Sequence, residues 1–142
     1  MKILITGGAG YIVTELTYQL ALIDAVEQIV IYDNLSRKNY NIFLMEKHLP
    51  NKKIMFESAD ILDSYKLNKA VEEADIIFHL AAKVTTPFAN EDPHIFEQVN
   101  HWGTAELSYA LEATQTNKVI YLSSMSVYGA SSELVDISTA PR

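Results

Sequence analysis

Three glycines in Thr6-Gly7-Gly8-Ala9-Gly10-Tyr11-Ile12 stand between an apolar run and a helical pattern. A pyrophosphate can touch backbone amides and a helix N-terminus only where no side chain stands between them. Gly7, Gly10 and the backbone of Tyr11 and Ile12 are therefore candidate phosphate contacts. The plain alternative is a strand-to-helix turn, but the strand before and the helix after supply the context a phosphate loop needs. Asp33 closes the second apolar run, in Ile31-Tyr32-Asp33-Asn34-Leu35-Ser36. An acid at that place can accept from ribose hydroxyls and repel a 2′-phosphate. Its alternative is a turn built on an Asp-Asn pair.

Further candidates end later apolar runs. Asp60-Ile61 follows the third, and a helix-cap approach is its competing reading. The fourth ends in His79-Leu80-Ala81-Ala82-Lys83, where small residues let backbone lie along a ligand. His79 reads as a packed core histidine rather than a catalyst. Ser123 and Ser124 end the fifth run, either as hydroxyls with a task or as an ordinary strand end. No set of His, Asp and Glu has metal-ligand spacing, so no metal is expected.

Regular elements must position these groups. Apolar runs at Lys2–Thr6, Gln28–Tyr32, Lys53–Glu57, Asp75–Leu80 and Lys118–Ser123 predict five strands. Ile12, Val13, Leu16, Leu20 and Ile23 have helical spacing and predict a helix over Tyr11–Asp24. A second helix is expected over Tyr40–Leu49, closed by Pro50. A third runs from Asp63 or Ser64 to about Glu73, and a long fourth from Asp92-Pro93 to about Thr116. The tail from Ser131 reads as polar loop. Alternating strands and helices imply a parallel sheet with right-handed crossovers. The expected fold class is α/β, a doubly wound sheet in the order 3-2-1-4-5, which binds dinucleotides where the order reverses.

Composition bounds the partners. The 142 residues fit one domain, 1–142, and apolar residues at 49% with charged residues at 20% match a soluble globular chain. A net charge of −7 argues against a nucleic-acid binder, which needs a basic face. Without cysteine there are no disulfides or zinc–thiolate sites. The run Met1–Ile5 is too short for a signal peptide, and no stretch approaches the ~20 apolar residues of a membrane helix. A cytoplasmic protein without membrane partners is the expectation.

The motifs resemble one family. Thr-Gly-Gly-Ala-Gly-Tyr-Ile is similar to the loop of extended short-chain dehydrogenase/reductases, the NAD-dependent epimerases and dehydratases of nucleotide sugars, whose pattern is Gly-x-x-Gly-x-x-Gly. Gly7 and Gly10 match, whereas Val13 replaces the third glycine and should push the helix out or tilt it, at roughly 1–3 kcal/mol. Asp33-Asn34-Leu35-Ser36 is similar to the matching stretch of UDP-glucose 4-epimerases. The resemblance implies a Rossmann fold, NAD as cofactor, Asp60-Ile61 on adenine, and Leu80–Lys83 and Asn100 beside the cofactor. Asn100 lies in Val99-Asn100-His101-Trp102-Gly103-Thr104. Ser123-Ser124-Met125-Ser126-Val127-Tyr128-Gly129 resembles the family signature and places Ser124 on the catalytic serine.

The family's general base, a tyrosine in Tyr-x-x-x-Lys after that serine, has no counterpart here. Only Tyr65 has a lysine four residues on, Lys69, and that pair belongs to a surface helix. The resemblance thus implies an amino-terminal part of such an enzyme, inactive by itself. Nucleotide-sugar would be the substrate of the full-length enzyme. A non-catalytic dinucleotide-binding or interaction module is the alternative. Two apolar stripes mark the long helix: Phe96, Val99, Gly103, Leu107 and Leu111, and Ile95, Trp102 and Tyr109. In the family this helix pairs with a partner subunit. A bare fifth strand also invites pairing, so a homodimer or other self-association is expected.

Overall fold

A computed structural model describes residues 1–44, 53–84, 92–114, 118–130, 132 and 134–141. Five strands form one parallel sheet: β1 (Lys2–Thr6), β2 (Gln28–Asp33), β3 (Ile54–Ser58), β4 (Ile76–His79) and β5 (Lys118–Tyr121). Their order is β3-β2-β1-β4-β5, as the sequence pattern predicts. The order in which strands are added reverses at β1, between β2 and β4, and Thr6 there pairs with Tyr32 on one side and His79 on the other.

Period-two alternation divides the apolar residues between two layers. Ile3, Ile5, Ile29 and Ile31 face one side and pack with Val13, Ala21 and Ile42. Those three belong to α1 (Tyr11–Ala21) and α2 (Asn41–Leu44). Leu4, Tyr32 and Ile77 face the other side, where Leu67 and Val71 of α3 (Ser64–Glu72) meet Leu107 and Ala110. The last two lie on α5 (Gly103–Glu112). Burial on both faces explains why β1 and the central part of β2 are nearly uninterrupted apolar runs.

Caps follow the chemistry expected of them. Asp63 accepts from the Lys66 amide at 3.1 Å and starts α3. Asp92 accepts from the Ile95 amide at 3.2 Å and starts α4 (Pro93–Glu97), with Pro93 in the first turn.

Several bounds differ from the expectation. α1 ends at Ala21 rather than Asp24, and β5 ends at Tyr121 rather than Ser123. Of the second expected helix, Asn41–Leu44 is helical, and 45–50 lie outside the described residues. The long helix stops at Glu112, and it is not one α-helix. Between α4 and α5 lies a π-helical turn, Gln98–Trp102, in which the Gly103 amide reaches back to the Gln98 carbonyl. A 3.6-residue pattern cannot reveal one inserted residue, and single π turns gather at functional sites.

Two contacts explain local sequence. A Cβ on Gly103 would stand 2.7 Å from Ile61 Cγ2, so this glycine lets the helix lie against the Ile61 loop. Val13, the departure from the glycine pattern, is 1% exposed and shares the β1–β2 cluster. It fills core there as an ordinary aliphatic residue. Among the described residues, no helix is long and apolar enough to cross a membrane.

Candidate functional site

The carboxyl ends of β1, β2, β4 and β5 open on one cavity of about 620 Å³. That is the position where doubly wound sheets bind ligands, and the size lies in the usual range for ligand sites. Fourteen of the fifteen candidate residues line it: Gly7, Gly10, Tyr11, Ile12, Asp33, Asn34, Ile61, Leu80, Ala81, Ala82, Lys83, Asn100, Ser123 and Ser124. Asp60 does not. Its carboxylate accepts from Asn34 Nδ2 at 2.6 Å and from the Leu62 amide at 3.0 Å, and so braces the wall from behind.

The glycine loop forms one end. Gly7 has φ +71°, and its amide donates to the Tyr32 carbonyl at 2.9 Å. A Cβ there would lie 2.6 Å from the Ala81 backbone, so Gly7 permits β1 and the Leu80–Ala81 segment to meet. Gly10 has an ordinary φ of −66° and no side chain caps α1. The first amides of that helix therefore face the cavity end without an internal partner, a setting that favours an anion.

Asp33 holds this loop in place. Oδ2 accepts from the Ala9 amide at 3.1 Å and Oδ1 from the Leu35 amide at 2.7 Å. A carboxylate has about four lone-pair sites, so capacity remains for hydroxyls in the cavity. The acid is thus both a turn former and a cavity group. Leu35 and Lys38 follow with φ +55° and +53°, a costly conformation for side-chain-bearing residues that shapes the rim. Tyr32, beside Asp33, donates from its hydroxyl to the Asp60 carbonyl at 2.9 Å. Burial first, then Asp63, Asp60 and Glu57, push its phenol above the usual range. It therefore stays protonated and is no base.

The opposite wall is built on His79. This residue is 1% exposed; Nδ1 lies 2.6 Å from Thr6 Oγ1, and Nε2 lies 3.1 Å from Thr104 Oγ1. The ring stacks on Tyr121 at 5.6 Å. Burial pushes the imidazole down from 6.5 to about 4, which leaves it neutral near pH 7. Asn100 sits in the π-helical turn, where its Oδ1 accepts from the Lys83 amide at 2.8 Å and its Nδ2 donates to the Lys83 carbonyl at 3.0 Å. Lys83 Nζ reaches the Ser36 hydroxyl at 3.1 Å, which links the two rims.

Ser124 caps a short 3₁₀ turn, Met125–Tyr128: its Oγ accepts from the Ser126 amide at 3.1 Å. Its hydroxyl lies 3.1 Å from that of Ser126 and faces the cavity. Three tyrosines, Tyr11, Tyr32 and Tyr121, also line the cavity, and the residues four positions on are Glu15, Ser36 and Met125. Tyr65 is 79% exposed on α3 and does not line the cavity. Sequence reasoning passed over Thr6 and Thr104, although both stand inside quoted motifs; their pairing through His79 spans three elements and leaves no local signal. Among the described residues no group of three or more His, Asp and Glu could hold a metal ion.

Known proteins share this fold. The family model for the NAD dependent epimerase/dehydratase family matches residues 3–141. UDP-glucose 4-epimerase of Erwinia amylovora is 30% identical over 99% of this chain and 42% of its own length. Human dTDP-D-glucose 4,6-dehydratase is 32% identical over 92% of this chain and 37% of its own. Among solved structures, UDP-glucuronic acid 4-epimerase from Bacillus cereus, in complex with UDP-glucuronic acid and NAD, superposes with a TM-score of 0.85 at 27% identity, over 100% of this chain and 46% of that one. UDP-glucose 4-epimerase from Brucella ovis, in complex with NAD, gives 0.80 at 29% identity, over 99% and 41%. The chain spans about two fifths of the length of these relatives. With the family model covering nearly every residue and the sheet order the same as predicted, the chain belongs to the NAD dependent epimerase/dehydratase family.

Proposed function

We propose that residues 1–142 are the NAD-holding part of a nucleotide-sugar epimerase or dehydratase that works by transient hydride transfer, and that this chain by itself does not turn over. One observation carries the reading: fourteen candidate residues from separate strands and loops converge on one cavity at the reversal point of the sheet. The residues fit a dinucleotide. Gly10, Tyr11 and Ile12 offer side-chain-free amides to the pyrophosphate, and Asp33 offers spare acceptors to the adenosine ribose. In this reading Asn34 and Ile61 would flank the adenine, and Leu80, Ala81, Ala82, Lys83, Asn100 and Ser123, which line the same cavity, the nicotinamide. Asp60 supports the adenine side through Asn34 rather than by its own contact. NAD supplies the hydride acceptor when bound; the protein binds and orients it.

Ser124 would hold a substrate hydroxyl by hydrogen bond. Removal of that hydroxyl's proton calls for a base, and no cavity tyrosine has a lysine four residues on to lower its pKa. Calorimetric titration of NAD into the 142-residue chain tests the reading. Micromolar binding without turnover of UDP-sugars is expected. Absence of binding by a folded chain would refute the cofactor assignment, and steady turnover would refute the inactivity.

A second reading, a non-catalytic dinucleotide-binding or interaction module, draws on exposed apolar surface. Trp102 and Tyr109 are 51% and 62% exposed, and β5 forms a sheet edge whose Val119, Ile120 and Tyr121 are all exposed. Self-association belongs to both readings, and a sedimentation mass that stays monomeric at high concentration would exclude it.

A further inference from the structure

Along the cavity wall three hydrogen bonds run in one direction, from Thr6 through His79 and Thr104 to the Asn100 carbonyl. The single hydroxyl proton of Thr104 goes to the Asn100 carbonyl, at 2.8 Å. Thr104 Oγ1 must therefore accept from His79 Nε2–H at 3.1 Å. A neutral imidazole with its proton on Nε2 has a bare Nδ1, and that nitrogen accepts the Thr6 hydroxyl proton at 2.6 Å. With this polarity each of the three links has one donor and one acceptor, and both Thr104 bonds form. The side chain of the same Asn100 makes a separate pair of bonds: its Oδ1 accepts from the Lys83 amide and its Nδ2 donates to the Lys83 carbonyl.

The elements joined by this chain are not neighbours in sequence. Thr6 ends β1 just before the glycine loop, His79 ends β4, Thr104 opens α5, and Asn100 stands in the π-helical turn. Thr104 bonds back to the carbonyl four residues earlier, at Asn100, which ties the start of α5 to the π-helical turn. The Thr6–His79 bond is buried, so cutting it would strand a donor or acceptor away from water, whereas the bonds at Thr104 and Asn100 lie nearer the surface.

We propose that Thr104, His79 and Thr6 are positioning residues, which set the π-helical turn so that Asn100 holds the Lys83 backbone and aims the Lys83 amine across the cavity. None of the three needs to touch a ligand for this role. Leu80 is tied to β1, where its amide bonds to the Thr6 carbonyl at 3.0 Å. The Asn100 clamp is what fixes the far end of the Leu80–Lys83 segment. The consequence for NAD affinity rests on the cofactor reading above, but the positioning itself does not.

Amide hydrogen exchange by NMR separates the two. Thr104→Val keeps the side-chain volume and deletes the hydroxyl. It should speed exchange of the Lys83 amide about tenfold relative to the Leu67 amide of α3, which bonds to Asp63 and lies outside the chain of bonds. Thr104→Ser, which restores the hydroxyl, should return Lys83 to within about twofold of the parent. Thr6→Val cuts the other end and should speed Lys83 exchange about fivefold, so the test survives if one valine variant fails to fold. A general loss of stability would move both amides together. Unchanged Lys83 exchange in a folded valine variant, or equal acceleration at Leu67, overturns the proposal.

Titration of NAD into the same variants adds the functional arm. Thr104→Val should weaken binding about tenfold alone and about twofold in a Lys83→Met background, because the two substitutions then remove the same contact. Equal weakening in both backgrounds overturns the route through Lys83. If the parent binds no NAD, the cofactor reading fails, while Lys83 exchange still decides the positioning.

Discussion

Replacement of Gly7 by alanine should lower the unfolding free energy by about 3 kcal/mol and abolish NAD binding. Two costs combine. The Gly7 backbone has φ +71°, where an L side chain costs roughly 1–2 kcal/mol. The new Cβ would also stand 2.6 Å from the Ala81 Cα and nitrogen and 2.7 Å from the Leu80 carbonyl carbon. Those are backbone atoms of a strand end and cannot rotate away, so over-packing adds roughly 1–3 kcal/mol. β1 and β4 must part there, which displaces both the glycine loop and the Leu80–Lys83 wall. Gly10→Ala is the contrasting case. Its φ is ordinary, and its Cβ would meet the Gly7 carbonyl oxygen at 3.3 Å and Val13 Cγ2 at 4.0 Å, far milder contacts than those at Gly7. That variant should stay nearly as stable as the parent and lose affinity, because the methyl enters the cavity where a pyrophosphate would lie. Urea unfolding and NAD titration of the two variants measure the split. A stability loss below about 1 kcal/mol for Gly7→Ala would show that the strand ends relax around the methyl.

The second large effect is with pH. His79 is neutral in the folded chain because burial depresses its imidazole to about 4, against 6.5 when unfolded. Between these values the unfolded chain binds the extra proton, so stability rises with pH across the window and falls as acid is added. The slope approaches ~1.4 kcal/mol per pH unit, and the full window is worth about 3 kcal/mol. Above 6.5 the residue is neutral in both states and contributes no further pH dependence. Proton NMR of the ring gives the direct check. His79 should hold one shift from pH 7 down to about 5. A His79 midpoint near 6.5 would mean that its ring is wetter than the fold implies.

Both predictions turn on residues that the amino-acid pattern singles out for other reasons. Gly7 stands in a phosphate-loop motif, yet the contact that requires a glycine is with Ala81, seventy-four positions away. His79 ends an apolar run and so reads as core, but its partners Thr6 and Thr104 come from β1 and from the far helix.

Local physics accounts for what the sequence alone determined. Nearly continuous apolar runs along Lys2–Thr6 and Gln28–Tyr32 specify strands buried on both faces, and helical spacing in between specifies the crossovers; together they point to a doubly wound sheet, whose order here is 3-2-1-4-5. The glycine loop, Asp33 and the Leu80–Lys83 and Ser123–Ser124 segments are legible because each follows a strand, and strand ends of one parallel sheet share one edge. Asp63 and Asp92 are legible as caps because the partner amide lies three residues on.

Tertiary contact decided the rest. The π-helical turn at Gln98–Trp102 has no periodic signature, and what it achieves, Asn100 on both polar groups of the Lys83 backbone, joins residues seventeen apart. Asp60 was legible as a strand-end acid, but only the fold turns its carboxylate to Asn34 and away from the cavity. Val13 reads as a misfit against a glycine pattern, and the space between α1 and the sheet determines that it fills core. A residue's periodicity and neighbours are written along the chain; the direction of a buried hydrogen bond and the room for one methyl group are properties of elements that meet only after folding.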